Sequence, residues 1–136
     1  MPRCLKRPRA PDAAIRSGLN ILLVDDDARI VRALKDYLTR WGHSVATAAT
    51  CAQALASPAL GRVQALICDL DLPDGSGWDL LPKLHAANGP VYSVAITGSR
   101  LPDDQARSLA TGFEAHLLKP FAPQKLIELL KTADPT

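Results

Sequence analysis

Short apolar runs alternate with longer segments of helical period, and this alternation constrains the fold more than any other feature of the chain. Five rounds of it follow from residue 19 onward. The first run, 19–24 (LNILLV), is almost continuously apolar, which is typical of a strand covered by helices on both faces. Repeated strand and helix units of this kind predict an α/β fold with a parallel sheet.

The periodicity predicts five strands, at residues 19–24, 44–48, 64–68, 91–96 and 115–118. The first helix has one apolar stripe that extends to Trp41, and it should end at Gly42. The third begins near Gly77 and contains Pro82, which should kink its first turns because proline has no N–H. The remaining helices are predicted at 52–57, at 102–111 and around 126–130.

Composition places the chain among globular domains of the reducing cytoplasm. Of its 136 residues, 47% are hydrophobic and 22% are charged, which suits one compact domain with its own core. Cys4, Cys51 and Cys68 are odd in number and lack CxxC spacing, so they support neither a disulfide framework nor a zinc site. We find no signal sequence and no apolar run long enough for a membrane span, and we expect a cytoplasmic protein.

The formal charge of +2 hides an asymmetry between the two parts of the chain. Residues 1–18 carry five basic side chains against Asp12, whereas the remainder carries 11 basic and 13 acidic residues. With three prolines in the same stretch, residues 1–18 are predicted to be a flexible basic arm or linker. The predicted domain covers 19–133, with a tail at 134–136. Dispersed cations without aromatic residues do not favour nucleic-acid binding.

Polar residues follow four of the five predicted strands, at the end where open parallel sheets bind ligands. They are Asp25, Asp26 and Asp27 after the first strand, Asp69 after the third, Thr97 after the fourth and Lys119 after the fifth. Converging carboxylates repel one another unless a cation is present, and oxygen ligands suit magnesium. The cluster therefore predicts a Mg²⁺ site, which could also take Mn²⁺. Asp27 is predicted to be a helix cap.

A carboxylate beside such a metal can attack phosphorus and form an aspartyl phosphate. A hydroxyl and an ammonium group would then stabilise the phosphoryl oxygens. Asp69 is the predicted nucleophile, with Thr97 and Lys119 as the two stabilising groups.

Four ordered motifs resemble the receiver domain of bacterial response regulators: VDDD at 24–27, CDLDLPDGSG at 68–77, ITG at 96–98 and LKPF at 118–121. The resemblance covers about residues 19–133. It implies a flavodoxin-like (βα)5 sandwich with a five-stranded parallel sheet of order 2-1-3-4-5, as in chemotaxis receivers.

The resemblance also implies a role for each matching residue. Asp69 would be the phosphoacceptor, Asp26 a direct metal ligand, Asp25 a ligand through water, and Asp71 a ligand through its main-chain carbonyl. Thr97 would be the switch hydroxyl and Lys119 the cation that pairs with the phosphoryl group. The bond between Lys119 and Pro120 is expected to be cis in this family.

One position departs from the family's commonest pattern. Many receivers have tyrosine or phenylalanine three residues before the lysine, where this chain has His116. His116 is then either a switching residue or a partly exposed residue of the edge strand. Cys68 is predicted to be a core residue, and Trp41 and Trp78 are predicted to be packing residues.

The resemblance implies a two-component phosphorelay switch rather than an enzyme acting on other substrates. A histidine kinase or histidine phosphotransfer protein would donate the phosphoryl group, and a downstream protein would bind the face formed by helix 4, strand 5 and helix 5. We expect a monomer or weak homodimer that binds neither nucleic acid nor membrane.

The sequence leaves three alternatives open. Because the chain ends at Thr136, output would lie in a partner or in further sequence, so the chain is a free-standing regulator or the terminal receiver of a hybrid histidine kinase. Asp69 and Asp71 also have the DxD spacing of magnesium-dependent phosphatases of the haloacid dehalogenase type, although these place the motif after their first strand. A pseudo-receiver is disfavoured because every acceptor-site residue is present.

Overall fold

The fold is described from a computed structural model, which defines residues 18–98 and 102–132. Within these ranges the chain forms five helices and seven strands. In chain order they are β1 (Asn20–Val24), α1 (Ala28–Arg40), β2 (Ser44–Ala48), α2 (Cys51–Leu55), β3 (Ala65–Asp69), β4 (Asp71–Leu72), β5 (Gly75–Ser76), α3 (Gly77–Asn88), β6 (Tyr92–Thr97), α4 (Pro102–Thr111), β7 (Ala115–Leu118) and α5 (Pro123–Lys131).

Five of the strands form one parallel sheet in the order β2-β1-β3-β6-β7. Since β6 and β7 are the fourth and fifth parallel strands along the chain, the predicted order 2-1-3-4-5 is confirmed. The two remaining strands, β4 and β5, pair antiparallel with each other in a small hairpin between β3 and α3. From the sequence alone, only a turn-rich segment is expected here, and the hairpin is not predicted.

The sheet separates two apolar layers, as expected for a strand pattern with both faces covered. Successive residues of β1 alternate between them: Leu22 and Val24 pack with α2 and α3, and Ile21 and Leu23 pack with α1 and α5. All four side chains are almost completely buried. Packing on both faces fixes the strands and leaves their carboxyl ends as the place where polar residues collect.

Side-chain caps begin α1 and α3. Asp27 accepts a hydrogen bond from the Arg29 N–H at 3.0 Å, which confirms the predicted cap, and Ser76 caps α3 in the same way. Trp41 contradicts the prediction of a packing residue, because its side chain is 55% exposed. It lies at the C-cap, one residue beyond the last helical residue, so it does not continue the apolar stripe.

Helix α3 is a single helical segment that includes Pro82, which lies on its exposed side. Among the described residues, no helix has both the length and the apolar composition that a membrane crossing requires. The predicted basic arm lies outside the described residues except for Gly18.

Candidate functional site

The predicted site residues come together at the carboxyl edge of the sheet, on four adjacent strands. Asp25 and Asp26 directly follow β1, Asp69 is the last residue of β3, Thr97 is the last residue of β6, and Lys119 directly follows β7. These strands are neighbours in the sheet, so one edge gathers residues from positions 25 to 119 of the chain. This edge is where open α/β sheets bind ligands.

Three carboxylates form an acidic cluster at this edge. Asp25 is 1% exposed and Asp69 is 6% exposed, whereas Asp26 is exposed to solvent. One oxygen of each lies within 4.8 Å of the other two. Carboxylate oxygens are the donors that Mg²⁺ prefers, and an exposed side leaves room for the waters that it retains. The residues present therefore fit a magnesium ion.

Lys119 reaches the two buried carboxylates of this cluster. Its Nζ donates to Asp69 Oδ2 at 2.9 Å and to Asp25 Oδ2 at 3.1 Å. Burial opposes protonation of Lys119, but its bonds to the two aspartates outweigh burial, and its pKa lies above the usual value. The lysine is therefore held as a cation between the two side chains.

Burial is also the main reason why the pKa of Asp25 lies above its usual value. The charge of Asp69 adds to this rise. Lys119 and the Asp27 N–H, which donates to Asp25 Oδ1 at 2.9 Å, act in the opposite direction. A cation at this cluster would relieve the same repulsion that burial intensifies.

The carboxylate of Asp69 is held at both of its oxygens. Oδ1 accepts a hydrogen bond from the main-chain N–H of Asp71 at 2.9 Å, and Oδ2 accepts one from Lys119. The side chain of Asp71 itself is exposed. Hydrogen bonds at both oxygens fix the orientation of the carboxylate, as preorganised catalysis requires.

Thr97 and Lys119 are linked through the main chain as well as by position. The Lys119 N–H donates to the Thr97 carbonyl at 2.8 Å, and Thr97 is 1% exposed. The peptide bond between Lys119 and Pro120 is cis. The residues that carry the hydroxyl and the ammonium group are therefore joined by a main-chain hydrogen bond at the carboxyl ends of neighbouring strands.

His116 contacts helix α4 through a hydrogen-bond network that the sequence analysis did not predict. Ser108 Oγ donates to the Asp104 carbonyl at 3.0 Å, lies 2.9 Å from Trp78 Nε1, and lies 3.1 Å from His116 Nδ1. Trp78 Nε1 is a donor in this network because an indole nitrogen can only donate, whereas the direction of the bond between Ser108 and His116 follows the tautomer of the imidazole ring. Burial lowers the pKa of His116, which favours the neutral form of the ring.

Cys68 is a core residue, as predicted. It is fully buried, its thiol donates to the Asp69 carbonyl at 3.2 Å, and burial raises its pKa well above the usual value. A buried thiol with a raised pKa is a poor nucleophile. Its role beside Asp69 is therefore packing.

The response regulator receiver domain family matches residues 21–131 of this chain. The chain therefore belongs to the receiver domain family of two-component response regulators, whose members bind Mg²⁺ at an acidic pocket. Membership of this family, together with the observed strand order, excludes the alternative of a phosphatase of the haloacid dehalogenase type.

Relatives and solved structures agree with this assignment. The transcriptional regulatory protein KdpE of Mycobacterium tuberculosis is 34% identical over 83% of this chain and 50% of its own length. PrrA of Mycobacterium bovis is 31% identical over 82% of this chain and 48% of its own length. The chain thus spans about half the length of these relatives.

Among solved structures, a CheY-like receiver domain protein from Methanospirillum hungatei superposes with a TM-score of 0.76 at 32% identity, covering 85% of this chain and 93% of that one. CheY4 of Vibrio cholerae gives 0.78 at 25% identity, covering 86% of this chain and 99% of the other.

Proposed function

We propose that Asp69 accepts a phosphoryl group from the phosphohistidine of a histidine kinase or histidine phosphotransfer protein. A bond forms between a carboxylate oxygen of Asp69 and phosphorus as the phosphorus–nitrogen bond of the donor breaks. The observation that carries the proposal is the fixed carboxylate of Asp69, held at Oδ1 by Asp71 and at Oδ2 by Lys119. This arrangement orients a nucleophile beside a cation that can take up phosphoryl oxygens.

The metal site in this proposal consists of Asp26 and Asp69 as direct ligands, Asp25 through water, and the main-chain carbonyl of Asp71. A bound Mg²⁺, or Mn²⁺ in its place, supplies positive charge that neutralises the carboxylates and the incoming phosphoryl group. The remaining roles belong to side chains of this protein. Asp69 attacks phosphorus, Lys119 pairs with the transferred phosphoryl group, and the Thr97 hydroxyl donates a hydrogen bond to it. The chemistry is confined to phosphorylation and dephosphorylation of Asp69 itself.

The output of this reaction is a change in a binding face. Phosphoryl contacts with Thr97 and Lys119 exist in the modified protein alone, and differential contacts of this kind shift a conformational equilibrium. The responding face comprises α4, β7 and α5, roughly 102–131, where a downstream protein would bind. His116 lies on β7 within this face and is a second switch residue beside Thr97.

Labelling with acetyl phosphate tests the acceptor directly. Intact-mass analysis of the wild-type protein with magnesium should show one added phosphoryl group. The label should be absent when magnesium is chelated and absent in Asp69→Asn. Asp71→Asn is the matched control, since it changes an exposed carboxylate but keeps the main-chain groups, and it should still label. A folded wild-type protein that binds magnesium and never labels, or an Asp69→Asn variant that labels normally, would contradict the proposal.

A further inference from the structure

The side-chain carboxylate of Asp74 joins the hairpin that follows the phosphoacceptor to the start of helix α2. Asp74 lies in the turn between β4 and β5. Its Oδ1 accepts from the Cys51 N–H at 2.8 Å, and its Oδ2 accepts from the Ala52 N–H at 3.0 Å. These two donors give Asp74 a pKa below its usual value, so it is ionised at neutral pH.

The same helix start has a local cap of its own. Thr50 Oγ1 accepts from the Gln53 N–H at 3.0 Å, as an ordinary N-cap does. Asp74 therefore satisfies two of the amides that a helix start leaves unpaired, while Thr50 satisfies a third. The two residues cap the same helix, but only Asp74 belongs to the hairpin.

Packing at this junction is close. A β-carbon added at Gly75 would lie 3.3 Å from Cys51 Sγ, and that thiol lies 3.8 Å from the Ser76 carbonyl. The hairpin thus contacts the first residue of α2 through main chain and carboxylate together.

The hairpin carries the groups that act on Asp69. Asp71 is the first residue of β4 and pairs with Ser76 of β5. Its N–H donates to Asp69 Oδ1, and its carbonyl is the proposed metal ligand. The position of the hairpin therefore sets where both main-chain groups of Asp71 point.

We propose that Asp74 is a positioning residue for phosphorylation, which holds the hairpin against α2 so that the main-chain groups of Asp71 meet Asp69 and the metal. This inference rests on the proposed function of Asp69. Residues that orient metal ligands from outside the coordination shell commonly change metal affinity by about 10–100-fold when they are replaced. Asp74 acts through one intervening segment, so we expect the lower end of that range.

The test compares Asp74→Ala with Thr50→Ala in the full chain. Both remove a cap from α2, and only the first releases the hairpin. Asp74→Ala should weaken Mg²⁺ binding about tenfold in calorimetry, raise the hydrogen-exchange rate of the Asp71 amide, and slow labelling by acetyl phosphate. Thr50→Ala should lower the free energy of unfolding without these three changes. Asp74→Asn, which keeps one acceptor oxygen, should fall between wild type and Asp74→Ala.

Two results would overturn the inference. One is an Asp74→Ala variant in which both the hydrogen-exchange rate of the Asp71 amide and the magnesium affinity are unchanged. The other is an equal effect of Thr50→Ala on both quantities, which would make α2 stability the cause. Failure of the proposed function is a separate outcome, because then the wild-type protein itself takes no label, whereas the exchange rate of Asp71 still reports on the hairpin.

Discussion

Lys119 binds oxygens of the same carboxylates that a magnesium ion would use. Its Nζ donates to Oδ2 of both Asp25 and Asp69, which are buried, and Asp26 adds a third negative charge at the exposed side. One lysine therefore leaves the cluster with excess negative charge. We therefore expect the lysine to stabilise the protein without metal and, at the same time, to weaken the attraction of the cluster for a divalent cation.

Replacing this lysine should have opposite effects on stability and on magnesium binding. Without magnesium, Lys119→Met leaves the carboxylates of Asp25 and Asp69 without a charged donor, and the free energy of unfolding should fall by about 2 kcal/mol. With magnesium, the variant should be stabilised more than the wild type, because no side-chain cation competes for the cluster. Urea unfolding at several magnesium concentrations measures both effects.

Lys125→Met is the matched control for this prediction. Lys125 is an exposed lysine in the first turn of α5, and its loss should change neither quantity. A smaller magnesium stabilisation in Lys119→Met than in the wild type would show that Lys119 does not compete with the metal.

Residues at strand ends were predictable, and residues that bridge elements were not. Asp69 and Lys119 stand directly at the end of apolar runs, so the topology of a parallel sheet brings them to one edge. Asp74 and Ser108 bond partners 22 and 30 positions away. Such contacts depend on how two elements pack, and no local pattern encodes them.

Helix α4 is anchored by a polar contact in place of an apolar stripe. Ser108 is its one fully buried residue among those described, and it bonds Trp78 of α3 and His116 of β7. Leu109, beside it in the helix, is 52% exposed. An element held by hydrogen bonds and little apolar burial can shift at modest energetic cost, as a switching face requires.

Removing the Ser108 hydroxyl should loosen this anchor. Ser108→Ala leaves the Trp78 N–H without its acceptor, and the free energy of unfolding should fall by about 1–3 kcal/mol. Thr111→Ala is the matched control, because Thr111 Oγ1 bonds only the Arg107 carbonyl of the preceding turn in the described contacts, at 2.7 Å. Its loss should cost well under half as much.

Urea unfolding of each variant measures the difference. The Trp41→Phe substitution leaves Trp78 as the only tryptophan of the chain. In that background the fluorescence of Trp78 reports directly on its contact with Ser108. Equal losses of unfolding free energy in Ser108→Ala and Thr111→Ala would contradict the role of Ser108 as the anchor of α4, since both losses would then reflect a local helix bond.

At the level of elements, the sequence predicted the helices and strands that are long enough to show a hydrophobic period. β2, α4 and β7 have the predicted bounds, and each end of the other parallel strands lies within one residue of its predicted position. The hairpin of β4 and β5 has two residues in each strand, too few for any period to be visible. Trp41 was misplaced because the apolar stripe does not reveal at which residue the helical geometry ends.

At the scale of the whole molecule, the sheet connects the acceptor to the proposed binding face. Two apolar layers hold the strands in register, and Thr97 pairs with Leu118 directly before Lys119. A phosphoryl group on Asp69 would engage the ends of β6 and β7, and β7 also carries His116, which bonds α4. The chain thus offers a short physical route from the modified residue to a weakly packed helix.

Phosphorylation of Asp69 is expected to change the face formed by α4, β7 and α5. Nuclear magnetic resonance of ¹⁵N-labelled protein, recorded before and after treatment with acetyl phosphate and magnesium, measures this change once intact mass has verified the label. We expect amide shift changes at Thr97, at His116 and along 103–111, and none in Asp69→Asn. A protein fully labelled at Asp69 whose shift changes stay within 25–27 and 69–76 would contradict this expectation.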